Sequence, residues 1–179
     1  MEITGTMNKR IILVGQAASG KDYFKDFMRN QGYSCDISYT TRPKREGEIE
    51  GDTYNYVSEA VFNAIKRNGL FYESVTFNGW QYGTSTKDWT EKKLCIKTPS
   101  GVKQLTDKDR EESIIIYFDI PLNAREQRLL KRSDADSVYR RIESDKEDFK
   151  DFTLFNIRIT NPSFNKWVLE DLIKLYQKL

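Results

Sequence analysis

Gly15-Gln16-Ala17-Ala18-Ser19-Gly20-Lys21 follows the apolar run 11–14 and precedes a helical pattern. Glycines at both ends of such a segment let the backbone curl until successive N–H groups point inward, and the next helix adds the positive end of its dipole. Strand, loop and helix in that order make a phosphate cradle. Gly15, Ala18, Ser19 and Gly20 supply its main chain, and Lys21 reaches the outer phosphates of a nucleoside triphosphate. The residue after the lysine in such loops is Ser or Thr, whose hydroxyl binds Mg2+, whereas this chain has Asp22. A carboxylate is also a hard oxygen ligand, so Asp22 is the candidate metal ligand and Mg2+ the expected cofactor. Its charge beside the phosphates leaves an alternative, a weakened nucleotide site.

Working outward, short apolar runs at 11–14, 35–39, 94–97, 114–118 and 155–159 read as strands, and helical patterns separate most of them. That alternation predicts an α/β chain with a parallel sheet covered by helices, a three-layer fold of P-loop NTPase type. The last segment reads as a helix capped by Ser163, with Phe164, Trp167, Val168, Leu172, Leu175, Tyr176 and Leu179 on one core-facing side. Between the second and third sheet strands lies a long insert, 42–92. There Ser58 reads as a cap, Val61, Phe62 and Ile65 fall at helical spacing, and Gly69 is a stop. The stretch 70–77 then alternates as a strand, and Asn78-Gly79 turns the chain into Trp80 and Tyr82. This insert is expected to be a small β-rich flap. The stretch 125–148 is dense in charge, with a break between two helices at 133–136.

The chain has 179 residues, the length of one compact domain. Lys plus Arg number 29 and Asp plus Glu 27, a net charge of +2, so no overall field recruits nucleic acid or an anionic membrane. Cationic sites must be local. Histidine is absent, which removes the commonest general base and leaves arginine, lysine and carboxylates to do any chemistry. Cys35 and Cys95 are too few for a disulfide framework or a metal knuckle and read as small core residues in a reducing compartment. With no apolar stretch near the roughly 20 residues of a membrane span and no leader-like start, a cytoplasmic protein is expected. The oligomeric state is open between monomer and homodimer.

A second constellation begins at Ser38-Tyr39-Thr40-Thr41-Arg42-Pro43-Lys44-Arg45-Glu46-Gly47-Glu48 and continues through Gly51-Asp52-Thr53-Tyr54, Phe71-Tyr72-Glu73 and Tyr82-Gly83-Thr84. Arg42 and Arg45 flank a proline that fixes the local backbone, so two guanidinium forks can be held toward a phosphate. The hydroxyls of Tyr54 and Tyr82 could complete the cage.

At these residues the chain resembles the guanylate kinase family, P-loop nucleoside monophosphate kinases built of core, flap and lid, and it reads as a divergent member. The resemblance implies a core of 8–41, 93–124 and 149–179, a monophosphate-binding flap of 42–92 and a helical lid of 125–148. It implies phosphoryl transfer from ATP to GMP or dGMP. On that basis Ser38, Arg42, Arg45, Tyr54 and Tyr82 bind the acceptor nucleotide, and Glu48 orients the arginines. Glu73 accepts from guanine N1–H and the amino group, while Ser38 and Thr84 read the ring oxygen. A carboxylate suits guanine's two donors and opposes adenine's acceptor. Arg128 and Arg132, four apart, and Arg141 match the family's lid arginines, and Asn161 its adenine-side position.

Two departures stand out. The family loop reads Gly-Pro-Ser-Gly-x-Gly-Lys-Ser, and Gln16, Ala17, Ala18 and Asp22 all differ. Where the family carries an Asp-Ile-Asp-type segment on its third sheet strand, this chain has Ile96, Lys97 and Thr98. Asp22 is the favoured compensation near the metal, and Asp119 a second candidate. The lost acid predicts looser base selectivity, so a nucleoside monophosphate kinase of altered acceptor and a catalytically silent binding domain remain the alternatives.

Overall fold

The computed structural model of the chain describes residues 9–131 and 138–179. In chain order its elements are β1 (Arg10–Gly15), α1 (Lys21–Asn30), β2 (Tyr39–Thr40), β3 (Asn55–Tyr56), α2 (Glu59–Arg67), β4 (Phe71–Phe77), β5 (Trp80–Ser85), α3 (Thr86–Glu91), β6 (Leu94–Ile96), α4 (Pro99–Lys103), α5 (Asp107–Glu111), β7 (Ser113–Phe118), α6 (Leu122–Leu130), α7 (Val138–Phe149), β8 (Ile157–Ile159) and α8 (Lys166–Tyr176).

Strands β1 and β7 are buried at every position, as central parallel strands covered on both faces must be. They lie at the middle of a four-stranded, all-parallel sheet of order β6-β1-β7-β8. Alternation along β1 divides the core. Ile11 and Leu13 pack with Phe24, Met28, Phe118 and Ile173 against α1 and α8, while Ile12 and Val14 pack with Trp89, Val102, Tyr117 and Phe149 on the opposite face. This is the three-layer α/β arrangement the alternating pattern predicts.

A second sheet, of order β3-β2-β5-β4, carries the insert. Its hairpin β4–β5 turns at Asn78 and Gly79, both with positive φ, the conformation a two-residue turn of this hand requires. Ser58 caps α2 by accepting from the Val61 amide, as its position suggests.

Two sequence expectations are corrected. The run 35–39 is not a sheet strand: Cys35 makes one isolated bridge to Leu94, and the next paired residues, Tyr39 and Thr40, belong to the second sheet. The interruption falls at Asp36, whose side chain turns toward Lys97 and Thr84. The last helix is capped by Asn165, which accepts from the amides of Trp167 and Val168, and not by Ser163. Its core-facing stripe is Leu169 and Ile173, with Leu172 and Tyr176 alongside. Val168, Leu175 and Leu179 are exposed, as is most of Trp167, which nonetheless sets an edge against Phe27. Apolar residues occupy two adjacent stripes of this helix, and only one meets the sheet.

Candidate functional site

The loop from β1 to α1 turns on three special backbone positions. A Cβ added at Gly15 would lie 2.5 Å from Ser19 Oγ and 3.0 Å from Phe118 Cβ, so close approach of the loop to β7 excludes any side chain. Gly20 has φ 96°, and Ala18, a non-glycine, is also left-handed at φ 58°. No side chain caps the N-terminus of α1, so its first amides remain for a ligand. Lys21 Nζ donates to the Gln16 carbonyl at 3.2 Å and lies 3.9 Å from Asp22 Oδ2. The Ser19 hydroxyl is buried and has no hydrogen-bond partner among the described residues.

Several contacts brace this loop. Arg128 donates from Nη1 to the Ala18 carbonyl (3.0 Å) and from Nη2 to that of Pro162 (2.6 Å), which ties α6 to the loop. From α7, the buried Asp145 carboxylate accepts from the Ala17 amide (2.9 Å) and pairs with Arg125 (3.1 Å). Burial pushes the Asp145 carboxyl up, while the Ala17 amide, Lys21 and Arg125 act in the opposite sense.

The second part is a cage of side chains. Glu48 Oε1 accepts from Arg42 at 2.7 Å, and Oε2 from the Arg45 amide (2.7 Å) and the Tyr56 hydroxyl (2.6 Å). Burial raises the Glu48 pKa, but these three bonds outweigh it and hold the carboxyl at about 2. The Arg42 guanidinium lies 5.4 Å from the Tyr54 ring centre and 5.7 Å from that of Tyr56, within cation–π range. Tyr54 in turn meets Tyr82 edge-on. Burial first, and then the negative charge of Asp22, push the Tyr54 hydroxyl up and keep it neutral.

Loop and cage open onto one cavity of about 500 Å³, lined by Gly15, Ala18, Lys21 and Asp22 of the loop and α1 together with Arg42, Arg45, Glu48, Tyr54 and Tyr82 of the cage. Asp36, Ser38, Glu73, Lys97 and Thr98 line the same cavity. Lys97 Nζ donates to Glu73 Oε1 (2.7 Å) and to Thr84 Oγ1, and lies 3.7 Å from Asp36 Oδ2. The Lys97, Glu73 and Asp36 side chains are only 2%, 5% and 5% exposed. Burial pulls the Lys97 pKa down, but Glu73 and Asp36 more than reverse this and keep the ammonium charged. Thr98 caps α4 by accepting from the Gly101 amide.

The structure therefore brings Gly15, Ala18, Lys21, Asp22, Ser38, Arg42, Arg45, Glu48, Tyr54, Glu73 and Tyr82 to one cavity and places Thr84 against Glu73. Other residues lie elsewhere. Arg128 braces the loop from α6, and the exposed Asn161 spends its side-chain oxygen on the Ser163 amide. Asp119 pairs with Arg158 in a separate cleft, away from Asp22. Arg132 lies outside the described residues, as does the 133–136 break, and Arg141 is described only as part of α7. Sequence reasoning missed Asp36, Tyr56, Arg125 and Asp145 and left Lys97 without a role. Only Tyr56, alternating with Tyr54, had a local signal.

A family model described as guanylate kinase matches residues 7–178. The guanylate kinase of Nostoc sp. is 29% identical over 166 residues, covering 87% of this chain and 83% of that protein, and that of Sus scrofa is 27% identical over 179 residues, covering 91% and 90%. The Coxiella burnetii guanylate kinase is 29% identical over 141 residues, 74% of this chain and 68% of that protein. Among solved structures, guanylate kinase from Anaplasma phagocytophilum superposes with a TM-score of 0.72 at 19% identity over 96% of this chain and 88% of its own, a likeness of fold.

Proposed function

The chain belongs to the guanylate kinase family, and on that premise we propose that it transfers the terminal phosphoryl group of ATP to GMP or dGMP. The observation that carries this reading is the shared cavity, which Lys21, Arg42 and Arg45 all line. The nucleophile is an acceptor phosphate oxygen, already ionised at neutral pH. It forms the new P–O bond as the bond to the bridging oxygen of ATP breaks, and ADP leaves with the released charge. Such a step asks for positioning and charge neutralisation and no proton abstraction, which a chain without histidine can supply.

The loop amides and the N-terminal end of α1 hold the donor phosphates, with Lys21 on the outer ones. Arg42, kept in place by Glu48, and Arg45 hold the acceptor phosphate beside Tyr54 and Tyr82. Asp22, half-exposed on the cavity wall, offers one hard oxygen, the share of a Mg2+ shell that a protein gives when phosphates and waters fill the rest. Bound there, Mg2+ would neutralise charge on the donor phosphates. Asp22→Ala should raise the Mg2+ concentration for half-maximal rate at least about tenfold, and Asp22→Ser should restore it.

The second sheet serves as the flap and 125–148 as the lid that closes over the phosphates and excludes water. Arg128 reaches the moving phosphoryl group only on releasing the Ala18 and Pro162 carbonyls, while Arg132 and Arg141 carry the rest of that charge neutralisation. A coupled ADP-release assay with GMP, dGMP, AMP, UMP and dTMP tests the reading. Turnover led by the guanine nucleotides supports it, and equal background rates with every acceptor end it.

A further inference from the structure

The cavity holds a buried ammonium where a base-reading site built on Glu73 alone needs none. A hydroxyl has one proton to donate. Thr84 Oγ1 lies 3.0 Å from Glu73 Oε1 and 3.2 Å from Asp36 Oδ2, and Ser38 Oγ lies 3.4 Å from Asp36 Oδ2. Both hydroxyls that could serve a ring oxygen therefore face carboxylates. Lys97 has three N–H donors and uses two, on Glu73 and Thr84. Its distance of 3.7 Å to Asp36 is too long for a hydrogen bond, so one donor remains. With Glu73 Oε1 doubly engaged, Oε2 is the oxygen left to accept from a ligand.

We propose that Lys97 reads the acceptor base: its remaining N–H donates to the ring carbonyl while Glu73 Oε2 accepts the adjacent ring N–H. The inference rests on the kinase reading above and names the selecting group. A donor beside an acceptor complements the carbonyl and N1–H edge of a 6-oxopurine and opposes the amino group and bare nitrogen of adenine. Nothing in this pairing requires the 2-amino group, so the site selects 6-oxopurine monophosphates as a class. With Asp36 ionised beside Lys97, the three side chains carry net one negative, the same as Glu73 by itself; burial pushes the Asp36 carboxyl up, and Lys97 and the Thr84 hydroxyl oppose that rise. That balance explains why the substitution of a lysine is tolerated in a dry pocket.

The test compares GMP, IMP and AMP as acceptors for the wild-type chain, Lys97→Met, Asp36→Asn and the charge-balanced pair Asp36→Asn with Lys97→Met. The double variant covers the case in which Lys97→Met, with two unpaired buried carboxylates, does not fold. For the wild type, IMP should be used within about tenfold of GMP, and AMP far less. In variants lacking Lys97, KM for GMP and IMP should rise on the order of tenfold to a hundredfold with kcat little changed, the loss of one charge-assisted hydrogen bond. The preference for GMP over AMP should fall at least tenfold, while Asp36→Asn alone keeps it. A double variant with wild-type GMP and AMP preference would overturn the role of Lys97 while leaving GMP phosphorylation standing. A wild type inactive on GMP would overturn both.

Discussion

The two walls proposed to bind phosphate are built by different means. The donor wall is main chain: curled amides, a left-handed Ala18, a glycine no side chain can replace, and an uncapped helix end. The acceptor wall is mostly side chain: one carboxylate, Glu48, accepts from the Arg42 guanidinium, the Arg45 main-chain amide and the Tyr56 hydroxyl. Main-chain donors carry no net charge and are fixed by the fold, whereas guanidinium groups are charged but must be aimed. Damage to the donor wall should therefore appear as lost chemistry, and damage to the acceptor wall as lost affinity and new pH sensitivity.

The sharpest test of that division removes Lys21, the donor-wall side chain proposed to reach the outer phosphates. Lys21→Ala should lower kcat about 10²- to 10³-fold, the loss of a preorganised group acting on developing charge. KM for GMP and the melting temperature should barely move, because the Lys21 ammonium donates to a single loop carbonyl. A fall confined to KM for GMP would erase the distinction between the walls.

On the acceptor wall, Glu48→Gln should raise KM for GMP about tenfold with a smaller change in kcat, since a neutral amide holds two arginines less firmly. The pH dependence has a definite sign. Glu48 is held at about 2, below an ordinary value near 4.5, so the folded protein gains stability from its ionised form. That gain is fully present above about pH 4.5 and is lost as the pH falls through about 2. Urea unfolding of wild type and Glu48→Gln should thus differ at pH 7 and converge between those limits. A gap that stays constant down to pH 2 would mean the carboxylate charge does not brace the wall.

The difference between the walls is also a difference in what sequence can reveal. The donor loop, its strand and its helix are contiguous, so spacing alone places Gly15 to Lys21. The acceptor phosphate cage is nearly as local, since Arg42, Arg45 and Glu48 fall within one turn-rich segment. The base end is not. Lys97 meets Glu73 from 24 residues away and Asp36 from farther still, and no local periodicity ties a lysine after a buried strand to either carboxylate. Asp145 is similarly hidden, because its partners Ala17 and Arg125 come from other elements. The last helix misled for a different reason: two apolar stripes compete on its surface, and only the sheet decides which is inside.

That helix supplies the finest test of the comparison. A Cβ at Gly20 would lie 3.1 Å from the Phe164 ring, which also packs on Phe24 and Phe118, so the start of α8 supports the donor loop from below. Asn165 caps α8 through the Trp167 and Val168 amides, and Asn165→Ala should cost about 1 kcal/mol of stability. Some of that loosening should reach the loop through Phe164, raising KM for ATP by about twofold to threefold while KM for GMP stays unchanged. Ser163→Ala, which removes no helix cap, should do neither. The Phe164 ring and the Arg128 bridge from Ala18 to Pro162 both join this end of α8 to the donor loop, so a shift in KM for GMP instead of ATP would show that support for the two walls is shared and that their separation ends at the cavity surface.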